Sequence, residues 1–311
     1  MSLIWHKPEK SVCEGGVISA FSVSVHAIIL TVMSMKKAAL LYDFDKTLCD
    51  KDMQEYTLIP SLGYADAGEF WKEVTGLTKE NRMDAISAYL YLLQKKFAQL
   101  SHPLRRGDFE GLGAQIRLYD GVDTWFSRIN AYGARMGLEI EHYVISSGMS
   151  EIIEQTPIAQ EFRKIFACKY YYNEEGIAEW PAMIVNYTTK TQYIFRINKQ
   201  VLDVNDDEDL NAWVPHNERP VPFDRMIYIA DGITDVPCMR LVKEYGGKSI
   251  AVYDPAGKKG KTVAERLVRE GRVDFMSPAD YREGSDLEQV VLRVIDHMSA
   301  DVRMKELEGM R

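Results

Sequence analysis

Short unbroken apolar runs that each stop at a polar pair punctuate this chain. Ala38-Ala39-Leu40-Leu41-Tyr42 stops at Asp43, Ile140 to Ile145 stops at Ser146-Ser147-Gly148, Met226 to Ala230 stops at Asp231-Gly232, and Ser249 to Tyr253 stops at Asp254-Pro255. Runs of this kind mark strands buried on both faces. Val273 to Phe275 is a further short candidate. Helical spacing fills the gaps: Val122, Trp125, Phe126 and Ile129 form one stripe, and Leu287, Val290, Val291 and Val294 another. Strands alternating with helices predict a parallel, doubly wound sheet. The aromatic run Lys169-Tyr170-Tyr171-Tyr172, followed by Asn173-Glu174-Glu175-Gly176, predicts a strand and a hairpin turn.

Residues 50–118 break the alternation. Ile86, Tyr89, Leu90, Leu93, Phe97 and Leu100 recur at three- and four-residue intervals, which predicts a helix from about Asn81 to Leu100. Tyr119-Asp120-Gly121 is a turn signal that reopens the α/β pattern. The expected fold is therefore α/β: a Rossmann-like core over residues 35–49 and 119–311, with a small all-helical domain over residues 50–118 inserted after the first strand. Residues 1–34 read as a poorly ordered N-terminal extension. Val17 to Met33 is apolar, but it is short for a bilayer, carries His26 and several serines, and lacks a small-residue cleavage site. No membrane association is expected, and Met35 is a plausible alternative start.

Composition narrows the class of partner. In 311 residues, 46% are apolar, which allows a sizeable core, and 46 acids against 38 bases leave a net charge of −8. That balance argues against nucleic-acid binding and for a small-molecule partner. Cys13, Cys49, Cys168 and Cys238 are scattered without zinc-site spacing, as expected of a cytoplasmic protein. The acid-rich stretch Asp203 to Asp209 lacks the glycine and terminal glutamate of a calcium loop and reads as solvated.

Candidate chemistry gathers at the strand exits, where open α/β sheets bind ligands. Asp43 and Asp45, two residues apart in an extended segment, share a face and can reach one substrate atom. Their mutual repulsion raises one pKa unless a cation intervenes, and either outcome suits a nucleophile beside a general acid. Ser146 ends its strand where a hydroxyl and the following N–H groups can hold an anion. Asp231 faces the same crevice, and Gly232 is expected to let the backbone turn tightly behind it. Lys190 is the candidate cation, with Lys199 as its competitor.

In order and spacing, Asp43-x-Asp45 in DFDKTL, Ser146 in VISSG, Lys190 in TTKTQYIFRINK and Asp231-x-x-x-Asp235 in IADGITD resemble the four motifs of haloacid-dehalogenase-like phosphatases. The branch they are most similar to is the phosphoserine-phosphatase-like one, and the resemblance covers nearly the whole chain from Lys36. It implies that Asp43 attacks phosphorus to give an aspartyl-phosphate and that Asp45 serves as general acid and base. It further implies that Ser146, Ser147 and Lys190 hold the phosphoryl group. Mg²⁺ would be bound by Asp43, the main-chain carbonyl of Asp45 and Asp231, with Asp235 acting through water or by orienting Lys190. Residues 50–118 would be the cap. The implied partner is a small phosphorylated metabolite, and Asp52 stands where phosphoserine phosphatases hold the substrate amine. Arg82, Arg105 and Arg106 are candidate carboxylate partners. Two positions depart from the pattern: Ala230 and Ser147 each stand where relatives often carry glycine. Two alternatives use the same motifs, a phosphotransferase that passes the phosphoryl group to an alcohol and a non-catalytic phosphate-binding regulatory protein. Carbon–halogen hydrolysis is disfavoured by Asp45, which it would not need.

Overall fold

The computed structural model describes residues 35–100 and 102–309; the expectations for residues 1–34 lie outside them. At its centre is β1 (Lys36–Tyr42), hydrogen-bonded in parallel to β2 (Leu138–Met149) on one side and β5 (Met226–Ala230) on the other. A strand flanked on both sides and covered on both faces has no place for polar side chains. Ala38 to Tyr42 are accordingly fully buried. The seven-stranded sheet runs β4-β3-β2-β1-β5-β6-β7, with β3 (Lys164–Tyr172), β6 (Lys248–Tyr253) and β7 (Phe275–Pro278) parallel to their neighbours. Only β4 (Ala178–Met183) is antiparallel, and it pairs with β3 as the predicted hairpin.

Helices cover the sheet, the first and last of them along the two predicted stripes. The helix α3 (Val122–Arg135) packs on β2, α5 (Val236–Glu244) on β5 and β6, and α6 (Lys258–Arg269) on β6 and β7. The C-terminal α7 (Asp286–Gly309) meets β7 and α3. Gly133 lets α3 approach the sheet closely, because a Cβ there would lie 2.3 Å from Ile140 Cγ1. A polar chain crosses this layer. Trp125 Nε1 donates to Tyr42 Oη at 2.9 Å, Tyr42 Oη donates to His142 Nδ1 at 3.0 Å, and His142 Nε2 donates to Asn130 Oδ1 at 2.9 Å. Every polar group in the chain is paired, so its burial is tolerated. Burial pushes the His142 imidazole down to about 3, keeping it neutral.

Among the described residues, the elements between β1 and α3 are all helical, chiefly α1 (Ala67–Asn81) and α2 (Ala85–Gln99). The sequence pattern placed one helix from Asn81; the structure breaks the chain there instead. Arg82 takes a left-handed conformation (φ 54°) that ends α1, and the Asp84 carboxylate caps α2 by accepting from the N–H groups of Ile86 and Ser87, both at 3.0 Å. Two other boundaries also move. The second strand extends from Ile140–Ile145 to Leu138–Met149, and the last shifts from Val273–Phe275 to Phe275–Pro278, an edge position where proline costs no ladder bond. The insertion leaves and re-enters the sheet through two paired segments: Cys49 bridges Leu118 in antiparallel fashion, and Tyr119 N donates to Leu48 O at 3.0 Å.

Candidate active site

The end of β1 is set by its neighbour. Asp43 N still donates to Ile229 O of β5 at 3.0 Å, so the ladder carries the first aspartate to the sheet's carboxyl edge before the chain turns. The turn places Lys46 at φ 56°, a left-handed conformation rare for a lysine. From the neighbouring strand, β5 delivers Asp231 and then Asp235 to the same edge. One carboxylate oxygen from each of Asp43, Asp231 and Asp235 lies within 4.8 Å of the other two.

Lys190 closes this cluster. It opens α4 (Lys190–Lys199), is 1% exposed, and its Nζ donates to Asp43 Oδ1 at 3.0 Å and Asp235 Oδ1 at 2.8 Å. The competitor Lys199 turns away to donate to the carbonyls of Leu210 and Ala212. Asp235 is fully buried and already well engaged, accepting from Lys190, from Tyr228 Oη at 2.6 Å and from Thr234 Oγ1 at 2.8 Å. It thus fixes the lysine, whereas Asp43 and Asp231 keep oxygens for a ligand.

One lysine does not balance three clustered carboxylates, two of them buried. Burial, with the Asp235 charge next, pushes the Asp43 carboxyl up to about 8 against the pull of Lys190. Asp231 is pushed up to about 7 by burial and then by Asp235. For Lys190 the carboxylates outweigh its burial and raise it well above the usual lysine range. Carboxyls held this high at neutral pH are short of positive charge, and an oxygen-lined acidic site of this kind fits a hard divalent cation. The donor set therefore fits a hard divalent cation such as Mg²⁺, which the free oxygens of Asp43 and Asp231 could hold.

Asp45 points elsewhere on the same loop. Its Oδ1 accepts from Met53 N at 2.7 Å, while burial, Asp52 and Asp43 raise its pKa well above the usual carboxylate range. A carboxyl that retains its proton near neutrality can give it to a leaving group. Lys46 Nζ and Asp52 Oδ2 pair at 2.6 Å beside it.

The two serines part company. Ser146 is fully buried and its Oγ accepts from Gly148 N at 3.0 Å, which closes the irregular turn at the end of β2, between Ile145 and Met149. Successive residues of an extended segment face opposite ways. It is Ser147 that lines the cavity, and its Oγ has no hydrogen-bond partner. The sequence centred the anion site on Ser146; the structure brings Ser147, Asp43, Asp45, Asp231 and Lys190 to one cavity of about 620 Å³, with Ser146 and Asp235 behind its wall. Gly148 holds this turn against the first loop, since a Cβ there would lie 2.1 Å from Met53 Cε and 3.0 Å from Asp45 Oδ2. Gly232 is different from what its position suggested. It is extended (φ −150°) with open space where a Cβ would point, so no tight turn depends on it.

Asp52 lines the cavity, but Arg82, Arg105 and Arg106 do not. Arg105 donates to Glu175 O at 3.1 Å and Arg106 lies over the Tyr172 ring. The cavity wall that sequence reasoning missed is Trp71, Ile86, Tyr89 and Tyr187, whose aromatic and apolar character reads as ordinary packing until the fold turns it inward.

No protein-family model matches the chain. A Borreliella burgdorferi protein described only as uncharacterized is 29% identical, over 83% of this chain and 96% of its own length. Among solved structures, a HAD family hydrolase from Salmonella enterica serovar Typhi superposes with a TM-score of 0.52 at 14% identity, covering 84% of this chain and 76% of that one. A probable phosphoserine phosphatase from Vibrio cholerae superposes with a TM-score of 0.53 at 13% identity, covering 93% of this chain and 76% of that one. The chain has the haloacid-dehalogenase-like fold. In this chain the mostly parallel sheet, with β1 at its centre, brings the acidic cluster to its carboxyl edge.

Proposed function

We propose that the protein is a Mg²⁺-dependent phosphatase that hydrolyses a small phosphomonoester through an aspartyl-phosphate on Asp43. The observation that carries this is Lys190 bridging Asp43 and Asp235, with Asp231 alongside, at the mouth of a cavity large enough for a metabolite. The bound cation would supply charge neutralisation and orient a phosphoryl oxygen. Asp43 would attack phosphorus as the ester P–O bond breaks, and Asp45 would give its proton to the departing alkoxide. Asp45, now anionic, would take a proton from water as that water attacks phosphorus, releasing phosphate and restoring Asp43. Lys190 would hold Asp43 in place and stabilise charge on the phosphoryl group, and the unpaired Ser147 hydroxyl would donate to a phosphoryl oxygen. Residues 50–118, which overhang the cavity through Trp71 and Tyr89, would serve as the cap that excludes water.

Phosphate release from a panel of small phosphomonoesters, with Mg²⁺ and with EDTA, tests this. Turnover that needs Mg²⁺ and disappears in Asp43→Asn is expected; activity surviving in a purified Asp43→Asn protein would overturn the nucleophile assignment. Mg²⁺ at about 100 times its Kd should also stabilise the wild type by about 2.7 kcal/mol in denaturant titrations. Asp231→Asn should lose most of that gain.

A further inference from the structure

Part of the cavity lining is built for a different surface. Trp71 of α1 with Ile86 and Tyr89 of α2 supply its apolar wall, and Tyr187 and Ile233, 45% and 52% exposed, also line the cavity. The polar tips of the two wall aromatics are already used inside the protein. Trp71 Nε1 donates to Glu55 Oε1 at 3.2 Å, and Tyr89 Oη accepts from Gln54 Nε2 at 3.1 Å. What the rings offer a ligand is therefore their carbon surface, at 5.8 Å between centroids and tilted by 54°. Charge is equally committed. Among the described residues no arginine lines the cavity, Lys190 is held by Asp43 and Asp235, and Lys46 is held by Asp52. Among the described residues, Lys259 is the one lining lysine without an ion pair, and it is exposed at the rim. A carboxylate on the substrate would thus be desolvated against Trp71 and Ile86 with no fork-shaped partner, which is costly. Asp52, spent on Lys46, is not a ready partner for an ammonium either.

Resting on the phosphatase reading above, we propose that the alcohol portion of the substrate carries an aromatic or extended apolar group, without a carboxylate, that seats against Trp71, Ile86 and Tyr89. Ethyl phosphate and 2-phenylethyl phosphate separate this from intrinsic reactivity, because their alcohols are similar leaving groups. Burying on the order of 100 Å² of phenyl surface at about 25 cal/mol per Å² predicts a kcat/KM ratio of about 60 in favour of the phenyl ester. Trp71→Ala and Ile86→Ala should each cut that ratio severalfold, and Ile86→Ala suffices if Trp71→Ala does not fold. A ratio within threefold of unity, or O-phosphoserine turned over faster than the phenyl ester, would overturn the proposal. Calorimetric binding of 3-phenylpropylphosphonate and propylphosphonate with Mg²⁺ distinguishes its failure from that of the phosphatase reading. A phenyl preference with no ester hydrolysed would uphold the pocket and sink the phosphatase; hydrolysis without preference would do the reverse. Neither binding nor hydrolysis would overturn both.

Discussion

Replacing Lys190 by methionine tests the electrostatics of the site in the protein's stability, apart from any substrate. The lysine is 1% exposed and is the partner of two buried carboxylates, Asp43 and Asp235. Removing one member of a buried ion pair typically costs about 3–5 kcal/mol, because the charge left behind is uncompensated. The protein can reduce that cost by binding a proton. Asp43 is already held high, at about 8, by burial and by Asp235. With the lysine gone, the native cluster should hold about one more proton than the wild-type cluster does, while the unfolded chains differ little. Stability then changes with pH by about 1.4 kcal/mol per unit per proton difference, and falls as pH rises when the native state holds the excess. The loss caused by Lys190→Met is therefore expected to be small near pH 6 and to grow by about 2–3 kcal/mol toward pH 8. Urea titrations of wild type and variant in EDTA, followed by tryptophan fluorescence, measure it. A loss independent of pH, or below about 1 kcal/mol at pH 8, would refute the claim that Lys190 offsets the buried charge of Asp43 and Asp235.

Acid should expose the opposite linkage at His142. Because burial lowers its pKa to about 3 in the folded protein, the unfolded chain binds the extra proton between the ordinary histidine value and pH 3. Stability should then fall with acidification by up to about 1.4 kcal/mol per pH unit in that window, and His142→Gln should flatten the slope by that amount in denaturant titrations. At the site itself, Gly148→Ala forces a methyl group against Met53 and Asp45. A loss of about 1–3 kcal/mol of stability is expected together with reduced turnover, and adding Met53→Ala should recover part of both; no effect of Gly148→Ala would show that the loops are not packed as described.

The sheet was legible because parallel strands buried on both faces leave continuous apolar runs, and the acids that end those runs mark the carboxyl edge. Asp43, Asp45, Asp231 and Lys190 came with it, since their places are fixed by strand ends and by one helix start. What escaped depends on tertiary direction. Ser146 and Ser147 are equivalent in composition, and only the irregular turn at the end of β2 decides which one faces the cavity. Trp71 and Tyr89 are apolar helical residues that look like core, and α2 begins later than the expected Asn81 because Asp84 recaps the chain after Arg82. The glycine at 232 looked obligatory beside an aspartate, yet its backbone is extended and its surroundings open.

The paired segments at Cys49 and Leu118 carry an evolutionary consequence. Because the insertion's two ends are tied to each other at the sheet edge, its ends stay adjacent whatever the length or sequence of the chain between them. Mutation can therefore lengthen or redraw residues 50–118, and with them the wall formed by Trp71 and Tyr89, without disturbing the register of β1 or the chemistry at its end. On the proposed phosphatase reading, new substrate preferences in descendants of this chain can arise through changes in the insertion alone, under a reaction centre that stays the same.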